Sequence, residues 1–182
     1  MGRLLILILS LFVSLQVQAD EQIKVHQVAE KYFSAVKSYD VSVLAGMLHP
    51  EALNKFRSAF DGAFGGSKSE QAQKDLLPLF SVSGVQEFNS LTDVDAYKRM
   101  TAFFAKAEPK LLEIMKSSTF SIANVSVDGD VAYVNYSMTM KINGSPLSQD
   151  SVQKFKLFND NWLALLPPSG EATITNLNTR YK

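Results

Sequence analysis

The stretch Gly62-Ala63-Phe64-Gly65-Gly66-Ser67-Lys68-Ser69 comes nearest to a chemical motif in this sequence. It fits G-x-x-x-x-G-K-[ST], the loop whose backbone N–H groups cradle nucleotide phosphates, except that Ser67 stands where the second Gly is required. The setting also disagrees, because a helical pattern precedes it where a buried strand is needed. It reads as a flexible loop. The two histidines, His26 and His49, have no ligand partner at i+4 and no H-E-x-x-H context, so they predict no metal site. There is no G-x-S-x-G elbow for a serine nucleophile. The absence of cysteine excludes a thiol nucleophile, a thiolate zinc site, a disulfide framework and an acyl-thioether lipoprotein anchor. Asn124-Val125-Ser126, Asn135-Tyr136-Ser137 and Asn143-Gly144-Ser145 fit the glycosylation pattern and are read as polar strand and turn positions.

What remains is an apolar wall. Tyr136, Met138 and Met140 recur on one face of a long alternating segment, with Tyr32, Val36, Phe56, Phe155 and Trp162 as candidates to face them. Any half-buried strand shows such a face, and ordinary core explains it. Its functional reading is the wall of a pocket. Methionine adapts to irregular apolar ligands, and small-molecule sites are concave, mostly apolar and sparsely polar.

The elements that would position these residues are helices first and strands afterwards. Val25, Val28, Ala29, Tyr32, Phe33 and Val36 mark one face of an amphipathic helix over about 21–38. Asp40 is placed to cap a short helix through Leu44 and Leu48, and Asp is a preferred cap. His49-Pro50-Glu51-Ala52 starts another helix, lined by Leu53, Phe56, Phe60 and Phe64. The apolar run 76–80 matches no element. Thr92-Asp93-Val94-Asp95 resembles a capping box for a helix carrying Tyr97, Met100, Phe104 and Ala107. Pro109 then kinks that helix or starts a new one with Leu112 and Met115. From Thr119 the period is two. Ala132, Val134, Tyr136, Met138, Met140 and Ile142 alternate with polar neighbours between the turns Asp128-Gly129 and Asn143-Gly144. Two further strands flank Asn159-Asp160-Asn161, and Pro167-Pro168 ends the last. The class is α+β in one domain, with N-terminal helices packed on an antiparallel C-terminal sheet.

The chain has 182 residues, with 18 basic and 18 acidic side chains. That balance argues against a nucleic-acid partner, which calls for a basic face. Arg3, the apolar run Leu4 to Leu15 and Val17-Gln18-Ala19 together form the pattern of a cleaved secretory signal over 1–19. The run is shorter than the roughly 17 to 25 apolar residues a membrane span requires. The expectation is therefore an exported domain over 20–182, periplasmic or secreted, with no stable membrane anchor after cleavage. An exported domain has no steady supply of ATP or nicotinamide, and no cofactor is expected.

The order of elements, the Tyr39-Asp40 cap, the His49-Pro50-Glu51-Ala52-Leu53 start and the closing strand with Asn161-Trp162 resemble the nuclear transport factor 2-like (cystatin-like) superfamily, in its exported bacterial form. That resemblance implies a curved sheet wrapped around the long first helix as a cone with an open apolar mouth. The same cone serves isomerases, dehydratases, lipid carriers and purely associative domains, and the reading taken here is a non-enzymatic exported domain that binds an apolar or amphipathic small molecule, such as a lipid, or a partner protein. Pairing into a homodimer through the wet face of the 131–141 strand is a further implication. The alternative is a cofactor-independent isomerase or dehydratase, with Asp40, His49 or Asp150 as the proton-transfer group inside the cone. The segment 62–90 is longer than such a fold needs, and either covers the mouth or decorates the outside.

Overall fold

The apolar stripe of the first helix fixes where the rest of the chain packs. The computed structural model describes residues 2–142 and 144–181, with side chains from Gln18 onward. Most of the segment read as a secretory signal, and the Asn143 turn position, therefore lie outside the described side chains. Helix α1 (Gly2–Ser38) buries Val25, Ala29, Tyr32 and Phe33, with Val28 and Val36 partly covered beside them. Tyr39 turns the chain in the left-handed region at φ 55°. The Asp40 carboxylate then accepts from the Val43 N–H at 3.1 Å and caps α2 (Val41–Met47). His49 does the same for α3 (Pro50–Phe64), its Nδ1 accepting from the Glu51 N–H at 3.0 Å with Pro50 in the first helical position.

The 62–90 segment departs most from expectation. It is built of α4 (Ser69–Leu76), a 3-10 turn (Leu77–Phe80) and α5 (Val85–Asn89). The glycine-rich stretch is a packed turn, not a flexible loop. Helix α3 runs through Gly62 to Phe64, and a Cβ on Gly66 would lie 2.5 Å from the carbonyl oxygen of Tyr181. Lys68, the lysine a phosphate loop would use, donates to the carbonyl of Arg180 at 2.9 Å. Behind this turn Phe60, Phe64, Phe80 and Phe88 pack together with centroids 4.7–6.4 Å apart, edge-on except for the tilted Phe60–Phe88 pair. Arg57 lies among them. Its guanidinium sits 4.1 Å over the Phe88 ring and donates to the carbonyls of Phe88 (2.9 Å) and Leu91 (2.7 Å). A buried cation is tolerated there because it donates to two backbone carbonyls and meets the Asp61 carboxylate at 3.4 Å.

Thr92 caps α6 (Asp93–Ala107) as a reciprocal box, accepting from the Asp95 N–H and donating to the Asp95 carboxylate. Pro109 starts a new helix, α7 (Pro109–Ser117), rather than kinking α6. Four strands follow: β1 (Thr119–Asp128), β2 (Val131–Ile142), β3 (Ser145–Phe158) and β4 (Asn161–Ala164). They form a curved antiparallel meander in the order β1-β2-β3-β4. Two devices set the register. In β1, Ala123 is an extra residue between Ile122, paired with Tyr136, and Asn124, paired with Asn135. That bulge lets Phe120 and Ile122 on one side of it, and Val125 and Val127 on the other, all pack inward. Between β3 and β4, Asn159 (φ 47°) and Asp160 (φ 61°) are both left-handed, the signature of a two-residue hairpin turn.

Pro167-Pro168 ends the strands as expected, and Pro168 also starts a helix that the sequence reading did not include, α8 (Pro168–Tyr181). It buries Ile174 and Tyr181 against α3 and α4, and the Tyr181 hydroxyl donates to Asp75 at 2.9 Å. The core thus has two lobes. One joins α1 and α2 to the sheet, and the other joins α3–α6 and α8.

Candidate functional site

Where the two lobes meet they leave a chamber of about 540 Å³. Each element contributes the face that its own periodicity dictates. Helix α1 presents Tyr32, Phe33 and Val36, and α3 presents Phe56 and Phe60. Helix α6 contributes Tyr97, Met100, Thr101 and Phe104, a stripe at i, i+3, i+4 and i+7. Helices α7 and α8 add Leu111, Met115, Ile174 and Leu177, while the sheet supplies Phe120, Tyr136, Met138 and Gln153. The wall is fixed by aromatic contacts. Phe33 stacks on Phe120 with centroids 5.0 Å apart and lies 4.5 Å from Tyr136, and Tyr32 meets Phe155 edge-on at 5.7 Å. Such pairs contribute about 0.5–1.5 kcal/mol each beyond their burial, so the chamber is preformed. Its rim lies at the break between α6 and α7, where Phe104 and Leu111 are 38% and 46% exposed. No residue between 61 and 96 lines the chamber, so the long middle segment decorates the outside of α3.

Five of the expected wall residues line the chamber: Tyr32, Val36, Phe56, Tyr136 and Met138. Three do not. Phe155 is sealed beneath Tyr32. Trp162 is buried on β4, its Nε1 donating to Glu21 at 2.8 Å. Met140 shares the inward face of β2 but pairs with Leu147 toward the hairpin end, past the chamber. Residues beyond the expected set include Tyr39, Thr101, Leu111, Gln153 and the α8 side chains. The i, i+4 spacing of Leu111 and Met115 carried a signal for one pair, and the i, i+3 spacing of Ile174 and Leu177 for another.

The expected proton-transfer residues lie elsewhere. Asp40 is exposed and occupied as a cap, and Asp150 is exposed on the outer face of β3, accepting from the Ser137 hydroxyl. His49 is buried against Phe158, 5.4 Å between ring centroids, with Nδ1 engaged as a cap. Burial holds its imidazole below the usual range, with Lys156 adding to that effect and Glu51 and Asp130 opposing it. None of the three lines the chamber. The chamber wall carries no Asp, Glu, His, Lys or Arg. Its titratable groups are the phenols of Tyr32, Tyr39, Tyr97 and Tyr136. Burial pushes the first three upward, and Tyr97 and Tyr136 add to the shift of Tyr32, so all three stay protonated at neutral pH.

Elsewhere the surface is less enclosed. Two open grooves along α1 and β1 have mixed walls that include His26 and Glu30. The outer face of β2 and β3 carries polar cross-strand pairs, Ser137 with Asp150 and Thr139 with Ser148, and Lys154 lies over the Tyr133 ring. Among the described residues no three His, Asp or Glu side chains gather as a metal site, and no helix is long and apolar enough to cross a membrane. No protein-family model matches the chain, and no curated protein is similar to it.

Proposed function

We propose that the chain is a non-enzymatic binding domain that holds an apolar or amphipathic small molecule in the chamber between its two lobes. The observation that carries this reading is the chamber itself. Its volume of about 540 Å³ lies in the range of ligand pockets, and its walls are aliphatic and aromatic with a few hydroxyl and amide groups. The alternative, an isomerase or dehydratase working with a carboxylate or imidazole, needs that group on the chamber wall. Asp40, His49 and Asp150 are engaged in capping and in a surface hydrogen bond instead.

We take the protein to be exported, on the strength of Arg3, the run Leu4 to Leu15 and Val17-Gln18-Ala19. The α+β class, with a curved sheet against the long first helix, supports the proposed kinship with the nuclear transport factor 2-like superfamily. Superfamily kinship alone carries no ligand.

The test is mass spectrometry of the full chain, expressed in an exporting host and purified without detergent. Native spectra are compared with a denatured extract. A stoichiometric apolar molecule, together with a mature N-terminus at Asp20, is the expected result. A clean unliganded mass, with no uptake of a fluorescent apolar dye such as N-phenylnaphthylamine, overturns the binding reading and leaves a protein partner as the function to pursue.

A further inference from the structure

The polar groups of the chamber go beyond a general affinity for grease. Tyr181, outside the chamber, gives its hydroxyl to Asp75 at 2.9 Å. The hydroxyls of Tyr32 and Tyr136 have no hydrogen-bond partner among the described residues, although their rings are packed on Phe155 and Phe33, whereas the Tyr97 hydroxyl is engaged by the Thr101 side chain. They are not sealed in either, since no fully buried side-chain oxygen or nitrogen is left unpartnered among the described residues. Such hydroxyls open onto the chamber.

Gln153 completes the set. It is 1% exposed, and its Nε2 donates to the carbonyls of Lys154 (2.9 Å) and Leu165 (2.7 Å). Two carbonyl acceptors fix that atom as the NH2 group. The amide oxygen remains an acceptor with no donor among the described residues. The chamber therefore offers hydroxyls, among them the free Tyr32 and Tyr136 phenols, and one amide acceptor, with no cation for a carboxylate or phosphate and no anion for an amine among the described residues that line it.

We infer that the ligand is an uncharged apolar molecule bearing a carbonyl or hydroxyl oxygen, which accepts from the Tyr32 and Tyr136 hydroxyls, and that a fatty carboxylate is rejected. This rests on the binding reading above. The rejection follows from desolvation, because a carboxylate carried into a chamber without a cation loses its hydration with no charge to replace it. The preference for oxygen over bare hydrocarbon follows from the phenols, which face the chamber without a protein acceptor, so that a hydrocarbon displacing their water leaves them unpaired while a ligand oxygen does not.

The experiment is competition of dodecane, 2-dodecanone and dodecanoate against N-phenylnaphthylamine on the full chain at about pH 8. One hydrogen bond in such a site corresponds to roughly three- to tenfold in affinity. Dodecanone is expected to displace the dye that much more tightly than dodecane, and dodecanoate at least tenfold more weakly than dodecanone. Tyr32→Phe and, separately, Tyr136→Phe should each reduce the ratio of dodecanone to dodecane affinity measured on the same variant, and a circular dichroism spectrum and urea midpoint close to those of the parent chain report that each variant is folded. Dodecanoate binding as well as dodecanone, or an advantage that survives both substitutions, overturns the inference and leaves apolar binding intact. If neither the dye nor any probe binds, both readings fall.

Discussion

The indole Nε1 of Trp162 donates to the Glu21 carboxylate at 2.8 Å, tying the last strand to the first helix. Lys24 holds the same carboxylate in place at 2.7 Å. Both hydrogen bonds lower the Glu21 pKa, that from Lys24 the more. Trp162 itself is only 4% exposed, so its ring is also core. Trp162→Phe should lower unfolding stability by about 1–3 kcal/mol, combining the lost hydrogen bond with incomplete filling of the site. Glu21→Gln keeps an acceptor for the indole and should cost under about 1 kcal/mol. Urea unfolding of the two variants beside the parent chain separates packing from charge.

Arg57 should be the least replaceable polar residue. Arg57→Met preserves much of the aliphatic volume but strips donors from the carbonyls of Phe88 and Leu91. The Leu91 carbonyl is orphaned at about 1–3 kcal/mol, while the Phe88 carbonyl keeps the Leu91 N–H at 3.0 Å, so a total loss of about 1–4 kcal/mol is expected. The m-value should stay unchanged if the whole second lobe unfolds with the rest. Arg57→Lys should recover little, because one ammonium cannot reproduce the guanidinium fork across two carbonyls.

His49 predicts a pH dependence with a definite sign. Its pKa in the folded chain lies below the ordinary value of 6.5, so the unfolded chain binds the proton first. Its contribution is complete above about pH 6.5 and is lost as pH falls through the lower folded value. Protonation also removes the Nδ1 acceptor that caps α3. The expected slope in this window is at most about 1.4 kcal/mol per pH unit, the value for one proton. His49→Asn keeps a capping side chain without the titration and should flatten it. Urea unfolding at several pH values between about 5 and 8 reads the difference.

Gly66 tests the packed turn. A methyl group there would meet the Tyr181 carbonyl oxygen at 2.5 Å, which is backbone and cannot rotate away. Gly66→Ala should destabilise by about 1–3 kcal/mol and loosen the end of α8. Because α8 contributes Ile174 and Leu177 to the chamber, dye affinity should fall with it. Amide exchange localised to 168–181 is the direct readout. Gly84→Ala, where the added methyl meets nothing within 4 Å, is the control.

The sequence exposes the elements that organise themselves locally. Asp40, the His49-Pro50 pair and the Thr92–Asp95 box are legible as caps because capping is a four-residue affair. The stripe Val25–Val36 and the alternation in β2 are legible because burial on one face imposes a period. The middle segment is not, since the 3-10 turn and α5 are held by Arg57 and by aromatic contacts across twenty or more residues of chain. Helix α8 is masked by its Thr and Asn residues, whose propensity is against it, and tertiary contacts of Ile174 and Tyr181 override that preference. The chamber is the hardest to see. The stripe Tyr97, Met100, Thr101 and Phe104 reads the same whether the space before it is filled or hollow. Whether Met138 or Met140 faces that space depends on where β2 outruns the helices, which no local pattern records.

The bridge between Leu48 and Ala164, with the His49 N–H donating to the Ala164 carbonyl at 2.9 Å, has a kinetic consequence. The surface that α1 and α2 must cover is finished only when β4 arrives, so closure waits for contacts of very high sequence separation. During synthesis from the N-terminus, the first lobe stays incomplete until residue 164 is available, and the nascent helices have no sheet to commit to. A lobe ordered in this way is completed after its last strand has been made rather than segment by segment as the chain emerges.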